Sequence, residues 1–297
     1  MSGSTNGGSP SAGSAGRASA GTNGGGAGGD EGGSSSGAGA AGNPEAGATN
    51  AGAAGTGGAS GGGTSGTAGA AGAGGSERPA VLVFSRTTGF RHDSIVDGIQ
   101  ALTNLAEERG WTLFASEDAA LFNAEALAPY NVIVFLSTTG DVLNATQQSA
   151  FEAFIRSGKG FVGIHSASDT EYDWPFYGEL IGAYFDEHPA IQPATVEVEN
   201  RTHPATAGLP ELWMRTDEWY GFRSNPRQAV EVLLSLDETS YDPGGSAMDG
   251  DHPIAWFHEY ESARVFYTAL GHTSESYSEA LFLEHIAGGI EWAARLQ

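Results

Sequence analysis

Four side chains scattered along the chain, His92, His165, Glu218 and His272, are the strongest candidates for joint chemistry. Three imidazoles and a carboxylate form a ligand set suited to zinc or another divalent transition metal. They are dispersed, with no His-x-x-x-His pair, so spacing alone supplies no coordination geometry. The same residues could also work without a metal. A histidine titrates near neutrality and can act as general base, with a loop glutamate as acid. Acid and base in one site suit protonation of a leaving oxygen or proton abstraction beside a carbonyl. Both readings stand at this point. His252 is a further candidate, and Trp219, Tyr220 and Trp256 could form an aromatic wall beside the site. Taken singly, each of those aromatics reads as core packing first. The chain has no cysteine, which excludes disulfides, thiolate zinc sites and cysteine nucleophiles.

Strand ends must position these groups. The stretch Gly160-Phe161-Val162-Gly163-Ile164 is apolar, glycine-flanked and too short for a globular helix, which predicts a buried parallel strand. It stops at His165, followed by Ser166, Ala167, Ser168 and Asp169. Small residues on either side of a polar one permit the sharp strand-to-helix turn of a nucleophile elbow. Here Gly163-x-His165-x-Ala167 places histidine where hydrolases of this architecture carry serine or cysteine. Ligands of open α/β sheets bind outside the carboxyl ends of strands, where His165 would sit. A histidine that merely caps the strand through hydrogen bonds is the other reading. Asp169 could orient His165 or cap the helix that follows.

The flanking segments fit a doubly wound sheet. Ala80–Ser85 reads as a strand, and a loop carrying His92 leads into a helix with Ile95, Ile99, Leu102 and Leu105 at three- and four-residue spacing. Asp93 or Ser94 can cap its first turn. Strands over Trp111–Ala115 and Tyr130–Leu136 follow, then a helix with Phe151, Phe154 and Ile155. Strands alternating with helices indicate a parallel sheet. The second half is less regular. It holds strands at Ala194–Glu199, Val230–Leu234 and Arg264–Leu270, another entered at Asp251–Trp256, and a last helix from about Ser278 to Leu296. Asp217-Glu218-Trp219-Tyr220 reads as a loop. His188 and His203, each before a proline, are expected to fix turns, with a place at the rim of the site as the alternative, and His285 on the last helix is expected to be structural. Arg86-Thr87-Thr88-Gly89 lacks the glycine spacing and lysine of a phosphate cradle.

Residues 1–76 are almost wholly Gly, Ala, Ser, Thr and Asn. Such a segment cannot bury enough surface to offset its ordering entropy and is expected to be a flexible tail. It resembles the spacer between a membrane anchor and an exported domain, which predicts an export signal or lipobox upstream of Met1; a true start at Met1 would instead predict a cytoplasmic protein. Residues 77–297 suit one α/β domain, and they carry nearly all of the net charge of −23. That acidity disfavours nucleic acid, whose phosphates would be repelled, and suits a neutral or cationic ligand. No run is long and apolar enough to predict a bilayer span.

Several short blocks together carry a family resemblance. They are Gly89-Phe90-Arg91-His92, Gly163-Ile164-His165-Ser166-Ala167-x-Asp169 and Gly182-x-x-Phe185-x-x-His188-Pro189. They continue as His203-Pro204-x-Thr206, Asp217-Glu218-Trp219-Tyr220, Asp251-His252-Pro253-x-x-Trp256 and Gly271-His272-Thr273. From about Pro79 to Ala294 the chain resembles the ThuA-like (trehalose-utilisation) domain of the class I glutamine amidotransferase-like superfamily. The resemblance implies a flavodoxin-like core with β additions and an association with sugar metabolism. In amidotransferase relatives the elbow carries a cysteine; the matching position here is His165, so thioester chemistry is out. The resulting expectation is a hydrolase or isomerase acting on a sugar or keto-sugar. His165, His92, Glu218 and His272 would be catalytic or metal-ligating, with Asp169, Trp219, Tyr220, His252 and Trp256 on a small carbohydrate. The alternative is a non-catalytic glycan-binding module on a flexible tether. Polar groups converging on a buried cleft would favour the enzyme; an open aromatic platform would favour the module.

Overall fold

The computed structural model describes residues 78–296; the expected tail and its role as a tether lie outside the described residues. Five strands pair in parallel. They are β1 (Ala80–Phe84), β2 (Thr112–Ser116), β3 (Val132–Leu136), β4 (Gly160–Ile164) and β9 (Ala263–Thr268). The sheet continues antiparallel through β8 (Pro253–Tyr260), β7 (Glu231–Leu236), β5 (Gln192–Val198) and β6 (Leu212–Asp217). The full order is β2-β1-β3-β4-β9-β8-β7-β5-β6. This is the expected parallel core with β additions.

Central strands β3 and β4 are buried on both faces because helices cover each side. Helices α1 (Ile95–Arg109) and α5 (Ala280–Ala293) pack together, and Arg109 bridges to Glu284 and Glu291. Helices α2 (Ala124–Leu127), α3 (Ala145–Arg156) and α4 (Pro175–Ile181) complete the set. Consecutive strand residues point to opposite faces. Phe135 thus stacks on Phe151 of α3 and Tyr177 of α4, with centroids 5.4 and 5.8 Å away. Its neighbour Leu136 sits beside Gly98 of α1. Ser94 precedes α1, as expected, but its hydroxyl does not cap the helix and instead lies 3.4 Å from the Gly271 carbonyl.

Strand β6 is absent from the sequence reading. Its burial alternates in the reverse of the usual sense: Leu212, Met214 and Thr216 face outward while Trp213, Arg215 and Asp217 face inward. It matters for the site. Four antiparallel pairings separate β9 from β6, so both run in the same direction and end at the same sheet edge. Residues following β1, β4, β6 and β9 therefore gather at one rim.

Candidate functional site

The turn after β4 is built as the glycine and histidine spacing implies. His165 adopts φ +53°, a left-handed conformation that a bulky residue rarely takes, and opens a 3₁₀ turn through Ser168. A Cβ on Gly163 would sit 2.7 Å from Ile181 Cδ1 and 2.9 Å from Tyr267 Cδ2. Only glycine lets Ala167 fold back over the strand there. The Tyr267 hydroxyl secures the turn by donating to the His165 carbonyl at 2.9 Å.

His165 is fully buried behind His92, Glu218, Tyr220 and His272, which line a cleft of about 450 Å³. The loop after β1 supplies His92, the end of β6 supplies Glu218, and the loop after β9 supplies His272. His165 Nδ1 lies 2.8 Å from the Ala269 carbonyl oxygen. A carbonyl only accepts, so Nδ1 carries the proton and Nε2 turns its lone pair into the cluster. There Nε2 meets His92 Nε2 at 3.1 Å, His272 Nδ1 at 3.1 Å and Glu218 Oε2 at 3.6 Å. The four ligand atoms of His92, His165, Glu218 and His272 all lie within 4.8 Å of one another.

Electrostatics keep two of these imidazoles, His92 and His165, unprotonated. Burial, and then the neighbouring His272, lower the pKa of His92 to about 4. Burial, and then His92, hold His165 well below its usual value. Burial also opposes charge on His272, but Glu218 at 2.9 Å outweighs it and raises that group. Metal ligation requires unprotonated imidazole nitrogens, which His92 and His165 offer near neutrality. Three nitrogens and one carboxylate oxygen, with one tautomer fixed by a backbone carbonyl, match the donor set and outer support of a zinc site.

Two of the residues expected to contact substrate line the cleft. Tyr220 packs on the His165 ring at 4.3 Å, and its hydroxyl lies 3.0 Å from His165 Nε2, whose one lone pair accepts that O–H only while it holds no ion. Burial pushes the Tyr220 phenol well above its ordinary pKa, which keeps the O–H in place. Asp169 also faces the cleft; its side chain neither orients His165 nor caps the following helix, but accepts from Tyr172 at 2.7 Å.

The other three expected contacts do not reach it. Trp219 is buried and donates its indole N–H to the Gln192 carbonyl at 2.8 Å. Trp256, in the middle of β8, is fully buried against Tyr267 and donates to the Ile181 carbonyl at 2.9 Å. His252 is fully buried between the Tyr220 carbonyl and Glu238, each 2.8 Å away. The aromatic wall is formed instead by Phe90, 66 % exposed at the rim, with Phe185 and Tyr220. His188 lies at the mouth as well as in its turn. Its Nδ1 is 2.9 Å from the Pro189 carbonyl and 3.0 Å from Glu218 Oε1. His203 and His285 are structural: His203 packs on Phe257, and His285 bonds to Ala205 and Thr268. A larger groove of about 540 Å³ beside α4 and β8, around Tyr184, Arg223 and His258, holds no comparable convergence of ligands.

Comparison with known proteins agrees with this architecture. The ThuA family, described as trehalose utilisation, matches residues 80–293. A ThuA-like protein from Bacteroides uniformis ATCC 8492 superposes with a TM-score of 0.63 at 27 % identity, over 73 % of this chain and 92 % of its own. A ThuA-like protein from Parabacteroides merdae ATCC 43184 gives 0.62 at 18 % identity, over 74 % and 91 %. No curated protein matches the chain. With its sequence blocks in order and the same fold in these structures, the chain belongs to the ThuA family.

Proposed function

We propose that the histidine cluster is a divalent transition-metal centre, with zinc its best fit, in an enzyme that hydrolyses or isomerises a small neutral carbohydrate. The observation that carries this reading is the convergence of His92, His165, Glu218 and His272 within 4.8 Å, with three of them lining a cleft and His165 buried directly behind. A bound metal would supply Lewis-acid polarisation of a substrate oxygen or an activated water. The protein's own groups then have distinct tasks. His92, His165, His272 and Glu218 Oε2 hold the ion. The free edge of Asp169 accepts from a substrate hydroxyl, and Phe90 and Phe185 cover the apolar face of a ring. His188, with a side chain 42 % exposed and one nitrogen on Glu218, moves a proton between the cleft and solvent.

The family's association with trehalose utilisation and the acidic composition support a neutral sugar as substrate. Polar groups meeting on a buried floor favour an enzyme over a glycan-binding module, whose aromatics would form an open platform. The glycine- and alanine-rich leader supports an exported, tethered placement. Among the described residues no helix is long and apolar enough to cross a membrane.

The test is product analysis on neutral disaccharides and their keto derivatives with the zinc-loaded chain. Turnover is expected, with loss on chelation, recovery on zinc addition and loss in Glu218→Gln. Saturable sugar binding without turnover under any metal condition would instead make the protein a binding module.

A further inference from the structure

Beneath the cluster lies a second carboxylate that takes no part in the chemistry above. Asp217, the last residue of β6, is fully buried. Its Oδ1 accepts from the backbone N–H of Glu218 at 3.0 Å and of His272 at 3.1 Å. Its Oδ2 accepts from the backbone N–H of Gly271 at 2.9 Å, from Arg215 Nη2 at 3.0 Å and from the Ser276 hydroxyl at 3.3 Å. All five partners are donors, so both oxygens serve as acceptors. Arg215 is itself buried, its guanidinium lying 4.8 Å from the Trp213 ring and 4.9 Å from Phe282. The neutralising charge is therefore buried beside the carboxylate.

The arrangement matters because of topology. Three strands separate β6 from β9 in the sheet. No ladder hydrogen bond can then fix Glu218, after β6, relative to His272, after β9. One oxygen of Asp217 bonds to the amides of both. We propose that Asp217 is the positioning residue of the centre: it sets the distance between the Glu218 and His272 ligand atoms, so metal affinity depends on a side chain that never touches the metal. This inference rests on reading the cluster as a metal centre. An asparagine cannot substitute. Its NH₂ would face either two backbone N–H groups or a backbone N–H, a guanidinium and a hydroxyl.

The experiment compares zinc and cobalt(II) binding by the wild-type full chain, Asp217→Asn and Ile155→Val, a buried change on α3 away from the cleft. Asp217→Asn is expected to weaken zinc by about 10- to 100-fold, the usual effect of losing an outer support of a metal ligand. It should also shift the visible cobalt(II) bands. Ile155→Val should lower the melting temperature while leaving both readouts at wild-type values. Wild-type affinity and an unchanged cobalt spectrum in Asp217→Asn overturn this proposal alone. A wild-type chain that binds neither metal overturns the proposal together with the reading beneath it. If Asp217→Asn does not fold, amide hydrogen exchange in the metal-free wild type decides. The Glu218, Gly271 and His272 amides should exchange as slowly as those of β9, and exchange at open-loop rates overturns the proposal.

Discussion

Replacing Gly163 by alanine tests the turn on which His165 depends. The added Cβ would lie 2.7 Å from Ile181 Cδ1, 2.9 Å from Tyr267 Cδ2 and 3.2 Å from Ala167 Cβ. Carbon atoms in good contact are about 3.5–4.0 Å apart, so the overlap approaches an ångström. Tyr267 cannot swing aside, because its hydroxyl is bonded to the His165 carbonyl at 2.9 Å and to Ser168 at 2.8 Å. Ala167 belongs to the turn itself. The strain must fall on the end of Ile181 or on the turn, and overpacking of this kind costs about 1–3 kcal/mol. Ile181→Val removes the offending Cδ1 and by itself should cost about 0.5–1.5 kcal/mol. In combination the two changes should be less destabilising than their sum by at least ~1 kcal/mol, since valine makes room for the new methyl. Urea unfolding followed by circular dichroism at neutral pH, on the four chains of the cycle, measures this. Additivity within about 0.5 kcal/mol would refute the packing argument. Gly163→Ala should also weaken zinc binding, because the displaced turn carries His165.

Three other outcomes follow from particular side chains. His285 is fully buried, and burial holds its pKa at about 3. The folded value lies below the unfolded one of about 6.5, so the unfolded chain takes up the proton first as pH falls. The stability from this group is complete above about pH 6.5 and declines toward pH 3 by up to ~1.4 kcal/mol per unit. His285→Gln should remove one proton from the slope of urea midpoints between pH 7 and 4, and an unchanged slope would contradict this. Trp256→Phe orphans the Ile181 carbonyl and should cost about 1–3 kcal/mol. It should leave zinc affinity and sugar binding at wild-type values, and weaker sugar binding at unchanged structure would return Trp256 to the cleft. Phe90→Ala, at a residue 66 % exposed, should change stability by less than about 0.5 kcal/mol yet weaken calorimetric affinity for a neutral sugar several-fold.

The parallel half of the sheet was legible because β1, β3, β4 and β9 are nearly unbroken apolar runs, as strands covered on both faces must be. The turn was legible for a different reason: Gly163 and the small residues around His165 are demanded by steric contact. Strand β6 was hidden because its alternation is reversed. Met214, 78 % exposed, faces out while Arg215 and Asp217 face the interior. The charges look like a surface until their mutual pairing is known. Missing β6 also hid why Glu218 arrives at the same rim as the histidines.

The ligand candidates could be read from their places at strand ends, whereas of the five residues expected around them only Asp169 and Tyr220 line the cleft. Which face of β8 Trp256 occupies depends on Ile181 and Tyr267, from distant segments. His252 offered the same residue type as His92, but Glu238 and the Tyr220 carbonyl occupy both its nitrogens. His188 does make the local contact its proline suggested. Its second contact, to Glu218, joins segments that only the folded sheet brings together. The block Gly182-x-x-Phe185-x-x-His188-Pro189 was the one sequence signal that could have pointed to both Phe185 and His188.

Equilibrium dialysis of the purified full chain against zinc, followed by elemental analysis, decides whether the four converging side chains form a metal centre. One zinc per chain is expected in the wild type and essentially none in His165→Ala, with both proteins folded by circular dichroism. Equal zinc in the two proteins, or none in either, would contradict it.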